Sequence, residues 1–535
     1  MRDVLPVLRV LGMLLLLFAL SMLVPWATSY YQRDGVTLVW PMAMGLTALL
    51  GVALWWGLFP FKQDLQPRHG VILVTVAWVS LPLCGALPIW GVMFVQGAPI
   101  SVTHAYFEAV SGLTTTGATV LSGLDALPVS LNMWRTFLQW MGGMGILILA
   151  VALLPLLGVG GSQLFRAEAA GPIKDTKLTP RMAGTAKGLW GVYSLFSIAC
   201  AVAFWLGGMA PLDAVMHMFA TVSLGGLSPH DASFGFFQSP LLEGIALIFM
   251  LLASCNFALY FIALRKGNWR TLWNDPEMRA TIGVLLGGGV LVALLLWAKG
   301  VYGPLEALRY GVFQVVSVAT TTGFATTDYL TWPVFAPVLM LFLSGVATSA
   351  GSTGGGIKMM RMLILFQQAR REMTRLVHPR AVQPVVVGGK VIEHPMIFSV
   401  LAFMLVYGAT IIVLSMVLLL TDLDPVTAFS AVVASVHCTG PGLGALGPAS
   451  NYAVLTDFQI WVCTLGMLLG RLEILSFMAL LTPAFWRRCG CGSGPGRNKY
   501  CPKRVSTPYN QPPLSIEGIH GSALYYGLDR PHQRA

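Results

Sequence analysis

Charge is scarce in this chain. Only 10% of its 535 residues are Asp, Glu, Lys or Arg, whereas 56% are hydrophobic, and the mean hydropathy is +0.72. Soluble domains carry about 25% charged residues, so a water-soluble globule is excluded. A disulfide framework is also missing. Cys84, Cys200, Cys255, Cys438 and Cys463 are scattered through apolar surroundings and read as small core hydrophobes. The chain has no His-Glu-x-x-His and no Walker glycine–lysine motif. Its "AVSGL" has alanine where a rhomboid-like Gly-x-Ser-Gly needs glycine. Intramembrane proteolysis and nucleotide hydrolysis therefore lack their residues, and the chain is not read as an enzyme. No small-x-small cleavage site follows the first apolar run, 7–26. With the run at 36–59 it reads as a pair of retained helices.

The remaining composition describes an integral membrane protein. Several runs exceed the roughly 18 apolar residues that a bilayer-crossing helix needs. With the N-terminus placed inside, segments 60–70, 158–187, 265–280 and 358–394 fall on the inner side and hold 18 of the 33 basic residues. The outer connections carry Asp34, Asp125, Asp231, Asp328 and Asp457 and few cations. This is the positive-inside pattern, and the net charge of +11 needs no nucleic acid to explain it.

After the first helix pair a unit recurs four times. Each copy is a long apolar helix, a shorter semi-polar helix, a glycine break and a second long apolar helix. The copies run 70–95, 101–113 and 132–157; 188–210, 212–222 and 241–264; 280–300, 305–319 and 333–364; and 395–420, 424–437 and 455–485. The breaks read "TTTGA", "VSLGG", "TTTGF" and "HCTGP", aligned on Gly117, Gly225, Gly323 and Gly440. A fourfold recurrence at about a hundred residues is an internal repeat. The expected division is 1–69, a helix pair; 70–187, 188–279, 280–394 and 395–486, the repeats; and 487–535, a disordered cytoplasmic tail. The short helices suit re-entrant segments. Irregular backbone at membrane depth needs protein or water around it, so the four breaks are expected to share a central axis. There, carbonyls can cage a dehydrated monovalent cation, and glycine reaches the unusual dihedrals that point successive carbonyls one way. Secondary transporters of organic solutes are usually built on twofold repeats, so four copies weigh against that class.

The stretches "SGLTTTGAT", "WRTFLQWMGGMGILIL", "TVSLGG", "VATTTGF", "SAGSTGGGIK" and "GPGLGALGPASNY" resemble the Trk/Ktr/HKT superfamily of potassium transporters. Within it the chain is most similar to the membrane subunits of bacterial Trk systems, over about 1–486. The resemblance implies an all-α inner-membrane protein, two N-terminal helices plus four M1–P–M2 repeats around a pore. It implies potassium bound at Thr115, Thr116 and Gly117; Ser223, Leu224 and Gly225; Thr321, Thr322 and Gly323; and Cys438, Thr439 and Gly440. Serine at the first glycine goes with sodium permeation in the family, so Gly117 implies potassium. His437 and Cys438 depart from the asparagines of many relatives and are expected to pack behind the fourth loop.

Within 344–358, "SGVATSAGSTGGGIK" interrupts the expected second helix of copy three, because small residues and a triple glycine do not hold a helix. The resemblance makes this an intramembrane gate comprising Ser349, Gly351, Ser352, Thr353, Gly354, Gly355, Gly356 and Lys358. Arg471 lies in the last apolar run, where such a charge needs a cavity or a partner. It is either a helix tie or a positive barrier below the filter that touches the gate. Lys358 could pair with Glu473. Cys489, Cys491, Cys501 and His520 in the tail do not have the spacing of a zinc finger. The family also implies a homodimer and a cytosolic NAD/ATP-binding subunit, TrkA, docking on basic inner loops, above all 361–380. Channel-like and proton-coupled uptake both stay open. No organic cofactor is implied.

Overall fold

The computed structural model describes residues 4–60, 67–143, 145, 182–472 and 474–486. The expected tail and Glu473 lie outside these residues, as does most of the inner segment 158–187. Among the described residues six helices are long and apolar enough to cross a membrane, or seven if one bent pair counts as a span.

The first span is α1 (Leu5–Ser21) continued by α2 (Leu23–Gln32), and α3 (Val39–Gly57) returns beside it. Gly12 and Gly51 permit this crossing. A Cβ on either would press on the other's carbonyl oxygen, at 2.7 and 2.9 Å. The pair is fastened to the first repeat at the connection between α2 and α3 and the start of α3. Ser130 donates its N–H to Asp34 at 3.2 Å, and the buried Trp40 indole donates to the Ser130 hydroxyl, also at 3.2 Å.

Repeat one consists of α4 (Pro67–Val95), α5 (Val102–Leu113) and α6 (Val129–Gly143). Repeat two has α7 (Met182–Leu206), α8 (Pro211–Val222), α9 (Pro240–Ala253) and α10 (Phe257–Lys266), then a single turn, α11 (Arg270–Trp273). Repeat three has α12 (Pro276–Ala298), α13 (Pro304–Ala319), α14 (Phe335–Val346) and α15 (Met359–Val377). Repeat four has α16 (His394–Leu419), α17 (Pro425–His437), α18 (Asp457–Arg471) and α19 (Ile474–Leu481). A small hairpin, β1 (Val386–Val387) and β2 (Lys390–Val391), turns through Gly388 and Gly389, both at positive φ as a two-residue hairpin turn requires.

The short helices α5, α8, α13 and α17 are 12, 12, 16 and 13 residues long, too short to cross a bilayer. Their starts are written in the sequence. Pro211, Pro304 and Pro425 occupy the first helical positions, and the Ser101 and Asp424 side chains cap two of the four.

The four first helices are unbroken, whereas three of the expected long second helices are not: α9, α14 and α18 end after 14, 12 and 15 residues. α6 is described to Gly143, and nearly all of the remainder of the expected helix 132–157 lies outside the described residues. The break expected at 344–358 is present, running over 347–358. The sequence reading did not foresee the other interruptions. α9 and α10 meet at 87° across 254–256, where the Asn256 side chain caps the new helix and accepts the Ala258 N–H at 2.9 Å. α18 stops at Arg471, so that residue sits at a helix C-terminus rather than in mid-helix. A cation is favourable there against the exposed carbonyls.

Candidate functional site

Behind each short helix the chain turns through the same four-residue geometry. The N–H groups of Thr116, Gly225, Thr322 and Thr439 donate back to Ser111, Ala220, Ser317 and Ala434 at 2.8–2.9 Å. Thr115, Leu224, Thr321 and Cys438, one residue earlier, share a left-handed φ of 56–64°. One residue later come Gly117, Gly226, Gly323 and Gly440, at φ 81, 73, 85 and 90°. The backbone therefore corrects the second break by one position. Gly226, not Gly225, is the partner of Gly117, Gly323 and Gly440. The matching triplet is Leu224, Gly225 and Gly226, and Ser223 falls one residue before it. The "LGG" sequence offers two adjacent glycines, and only the positive φ distinguishes them.

The four segments face one another around an axis. A Cβ on Gly117 would overlap the Gly225 carbonyl oxygen, and one on Gly226 that of Thr322. Gly323 stands in the same relation to Thr439, and Gly440 to Thr116. Each glycine thus touches the carbonyl of the residue before the next glycine, and the chain of contacts closes on itself. No side chain fits at the glycines, so their absent Cβ is what lets the four carbonyls converge. The hydroxyls of Thr114 and Thr116 lie 2.7 Å apart, and those of Thr320 and Thr322 2.8 Å. Thr115 and Thr439 have buried hydroxyl oxygens with no hydrogen-bond partner among the described residues. His437 sits behind the fourth segment as expected, its Nδ1 2.9 Å from the Ser344 hydroxyl and its ring stacked on Tyr407. Cys438 is buried, with Sγ 3.8 Å from the Met467 carbonyl.

Beneath this ring the 347–358 segment touches repeats two, three and four directly and is linked to repeat one through Arg471. Thr353 donates its hydroxyl to the Val222 carbonyl at the end of α8, at 3.0 Å. The Gly355 N–H donates to the Thr321 hydroxyl at 2.9 Å, and a Cβ on Gly355 would overlap the His437 carbonyl. Arg471 donates to the Thr353 carbonyl at 3.1 Å and to the Gly142 and Gly143 carbonyls at 2.6 and 3.3 Å. It thereby ties repeats four, three and one together and touches the 347–358 segment. Lys358 donates to the Gly354 carbonyl within its own loop.

The base of the loop uses residues that sequence reasoning missed. Glu277, buried on α12, accepts the Ala350 N–H at 2.6 Å and the Met360 N–H at 3.1 Å, binding both ends of the segment at one oxygen. Thr281, one turn on, meets the Ser349 hydroxyl at 3.0 Å. The loop also exchanges backbone bonds with the other broken helix. Ser349 N–H donates to the Ser254 carbonyl at 2.9 Å, and Phe257 N–H donates to the Gly351 carbonyl at 3.1 Å.

One buried and one partly exposed ion pair hold the surroundings. Glu108 and Arg135, both almost wholly buried, meet at 2.7 Å. Glu108 also accepts the Thr119 hydroxyl and the Val120 N–H, just past the first ring glycine. Arg309 makes two 2.7 Å bonds to Glu243 across repeats two and three.

Comparison with known proteins agrees with this arrangement. The TrkH family model, described as a cation transport protein, matches residues 43–487. The Trk system potassium uptake protein TrkH of Vibrio parahaemolyticus is 45% identical over 484 residues, covering 90% of this chain and 99% of that protein. Escherichia coli K12 TrkH is 43% identical over 480 residues, covering 90% and 98%, and TrkG of the same strain 37% over 476 residues, covering 89% and 97%. The crystal structure of the potassium transporter TrkH from Vibrio parahaemolyticus superimposes with a TM-score of 0.81 at 42% identity, covering 91% of this chain and 99% of that one. With four repeats, four re-entrant helices and matches along nearly its whole length, the chain belongs to the TrkH family of cation transport proteins.

Proposed function

We propose that this chain carries potassium into the bacterial cell across the inner membrane, as the membrane subunit of a Trk system. The observation that carries the reading is the closed succession of four glycines and four carbonyls at 116–117, 225–226, 322–323 and 439–440. Neutral oxygens replace the shell of a weakly hydrated cation without holding it too tightly to leave. The C-terminal ends of α5, α8, α13 and α17 add partial negative charge beside them. Glycine at 117 supports potassium over sodium.

The 347–358 segment acts as the gate, and the bonds of its Thr353 and Gly355 to Val222, Thr321 and Arg471 support reading this arrangement as a closed state. Arg471 adds a positive charge below the ring, which repels a passing cation more strongly at low dielectric than in water. α15 leads from Lys358 directly to the exposed Arg370 and Arg375 and onward to Arg380. A TrkA-like cytosolic subunit binding NAD or ATP, docked on these cations, would act on the loop through that helix. The working unit is a homodimer.

Proteoliposome flux of potassium, sodium and an uncharged organic solute tests this reading. Potassium should pass and the other two should be held back. Flux of the organic solute, or sodium passing as fast as potassium, would instead make the chain a transporter of another solute or cation.

A further inference from the structure

Three of the four ring segments place threonine before the ring glycine, at Thr116, Thr322 and Thr439, while the second has Gly225. A residue from another helix occupies the space this leaves. Gln139 of α6 is fully buried. A Cβ at position 225 would overlap its Cδ and lie 2.6 and 2.8 Å from its amide nitrogen and oxygen. Its Nε2 donates to the Gly225 carbonyl at 2.6 Å, and its Oε1 accepts the Leu227 N–H at 3.1 Å. One amide therefore brackets Gly226 from both sides. The first and third segments have a threonine hydroxyl pair at this level. Ser223, which stands in place of Thr114 and Thr320, turns its hydroxyl back to the Phe219 carbonyl at 2.7 Å as they do to Val110 and Val316, but Gly225 offers it no hydroxyl to pair with. Two adjacent glycines with no support would sample many backbone conformations, and a cage of fixed oxygens does not tolerate that.

We propose that Gln139 is a positioning residue for ion selectivity. It supplies from α6 the side chain that the second segment lacks and fixes the Gly225 carbonyl in the ring. This inference rests on the ring being the ion filter.

The test is the potassium-to-sodium flux ratio in proteoliposomes, with a thermal melt of each variant. Gln139→Met keeps the volume and removes both hydrogen bonds. It should lower the ratio at least about threefold, as loss of one net hydrogen bond allows. Gln139→Ala should lower it further, and Gln139→Ala with Gly225→Thr should recover most of the loss, because a threonine then fills its own site. Gly323→Ser serves as the control on the filter. If Gly323→Ser lowers the ratio while Gln139→Met keeps the wild-type value, this inference alone fails. A double variant no better than Gln139→Ala also overturns it. If Gly323→Ser leaves the ratio unchanged, the filter reading fails first.

Discussion

Arg471 and Thr353 are 118 positions apart in sequence and joined by a 3.1 Å hydrogen bond from guanidinium to carbonyl. The same guanidinium reaches Gly142 at 2.6 Å. A loop rich in glycine has little packing of its own, so an outside donor of this kind decides whether it stays beneath the ring.

Arg471→Ala removes the barrier charge and the loop's tie together. Rubidium uptake per purified molecule should rise several-fold, and the Tm in detergent should fall, because hydrogen bonds to charged groups contribute roughly 1.5–3 kcal/mol. Arg471→Lys should fall between wild type and alanine in uptake, since a point donor does not span two carbonyl groups. A destabilised Arg471→Ala with unchanged uptake would make Arg471 a helix tie only.

Glu277→Ala should also raise resting uptake, because the Ala350 and Met360 N–H groups lose their shared acceptor at the base of the loop. Glu277→Gln keeps an acceptor oxygen and should stay near wild type in uptake. Equal uptake by both variants would remove the carboxylate from gating.

Deleting 352–355 should leave a folded protein with raised flux that no longer depends on a cytosolic regulatory subunit. The deleted residues include the contacts to Thr321 and Val222. Wild-type flux under full regulation would reduce the segment to a packing feature.

Glu108→Gln should cost about 3–5 kcal/mol, the penalty for stranding the buried Arg135 charge. Glu108→Leu with Arg135→Met should restore much of that stability. Thermal melts of the single and double variants decide this, and equal losses in both would show that the polar bonds to Thr119 and Val120 matter more than the charge.

In the connection that follows the first ring glycine, Asp125 is hydrogen-bonded to His230 at 2.5 Å. Partial burial works to raise the Asp125 carboxyl. The His230 hydrogen bond and charge and the Asp231 N–H outweigh it and hold the group below its ordinary value of 3.8. A lowered folded-state value means that the stabilisation is present above pH 3.8 and is lost as pH falls through the lowered value. The Tm difference between wild type and Asp125→Asn should therefore shrink on acidification below about pH 4. A difference that stays constant to pH 3 would show that the pair does not stabilise the fold.

Much of this architecture is legible in the sequence, for physical reasons. Long apolar runs mark the first helices, Pro211, Pro304 and Pro425 mark the re-entrant starts, and the triple glycine at 354–356 marks the break between α14 and α15. Two features are not. Residues 254–256 read "SCN" within an apolar run, too little polarity to announce an 87° bend that tertiary contacts with Ser349 and Gly351 impose. The choice between Gly225 and Gly226 depends on dihedrals set by the other three segments. Gln139 reads as one polar residue on a helix, and its role appears only where repeat two comes within reach.

The register of the ring tests the account most directly. Potassium and sodium flux should be compared in proteoliposomes containing wild type, Gly117→Ser, Gly226→Ser and Gly323→Ser. All three variants should raise sodium relative to potassium, because in each the new Cβ meets the next segment's carbonyl oxygen. Wild-type selectivity in all three would contradict the claim that these four segments form the potassium filter.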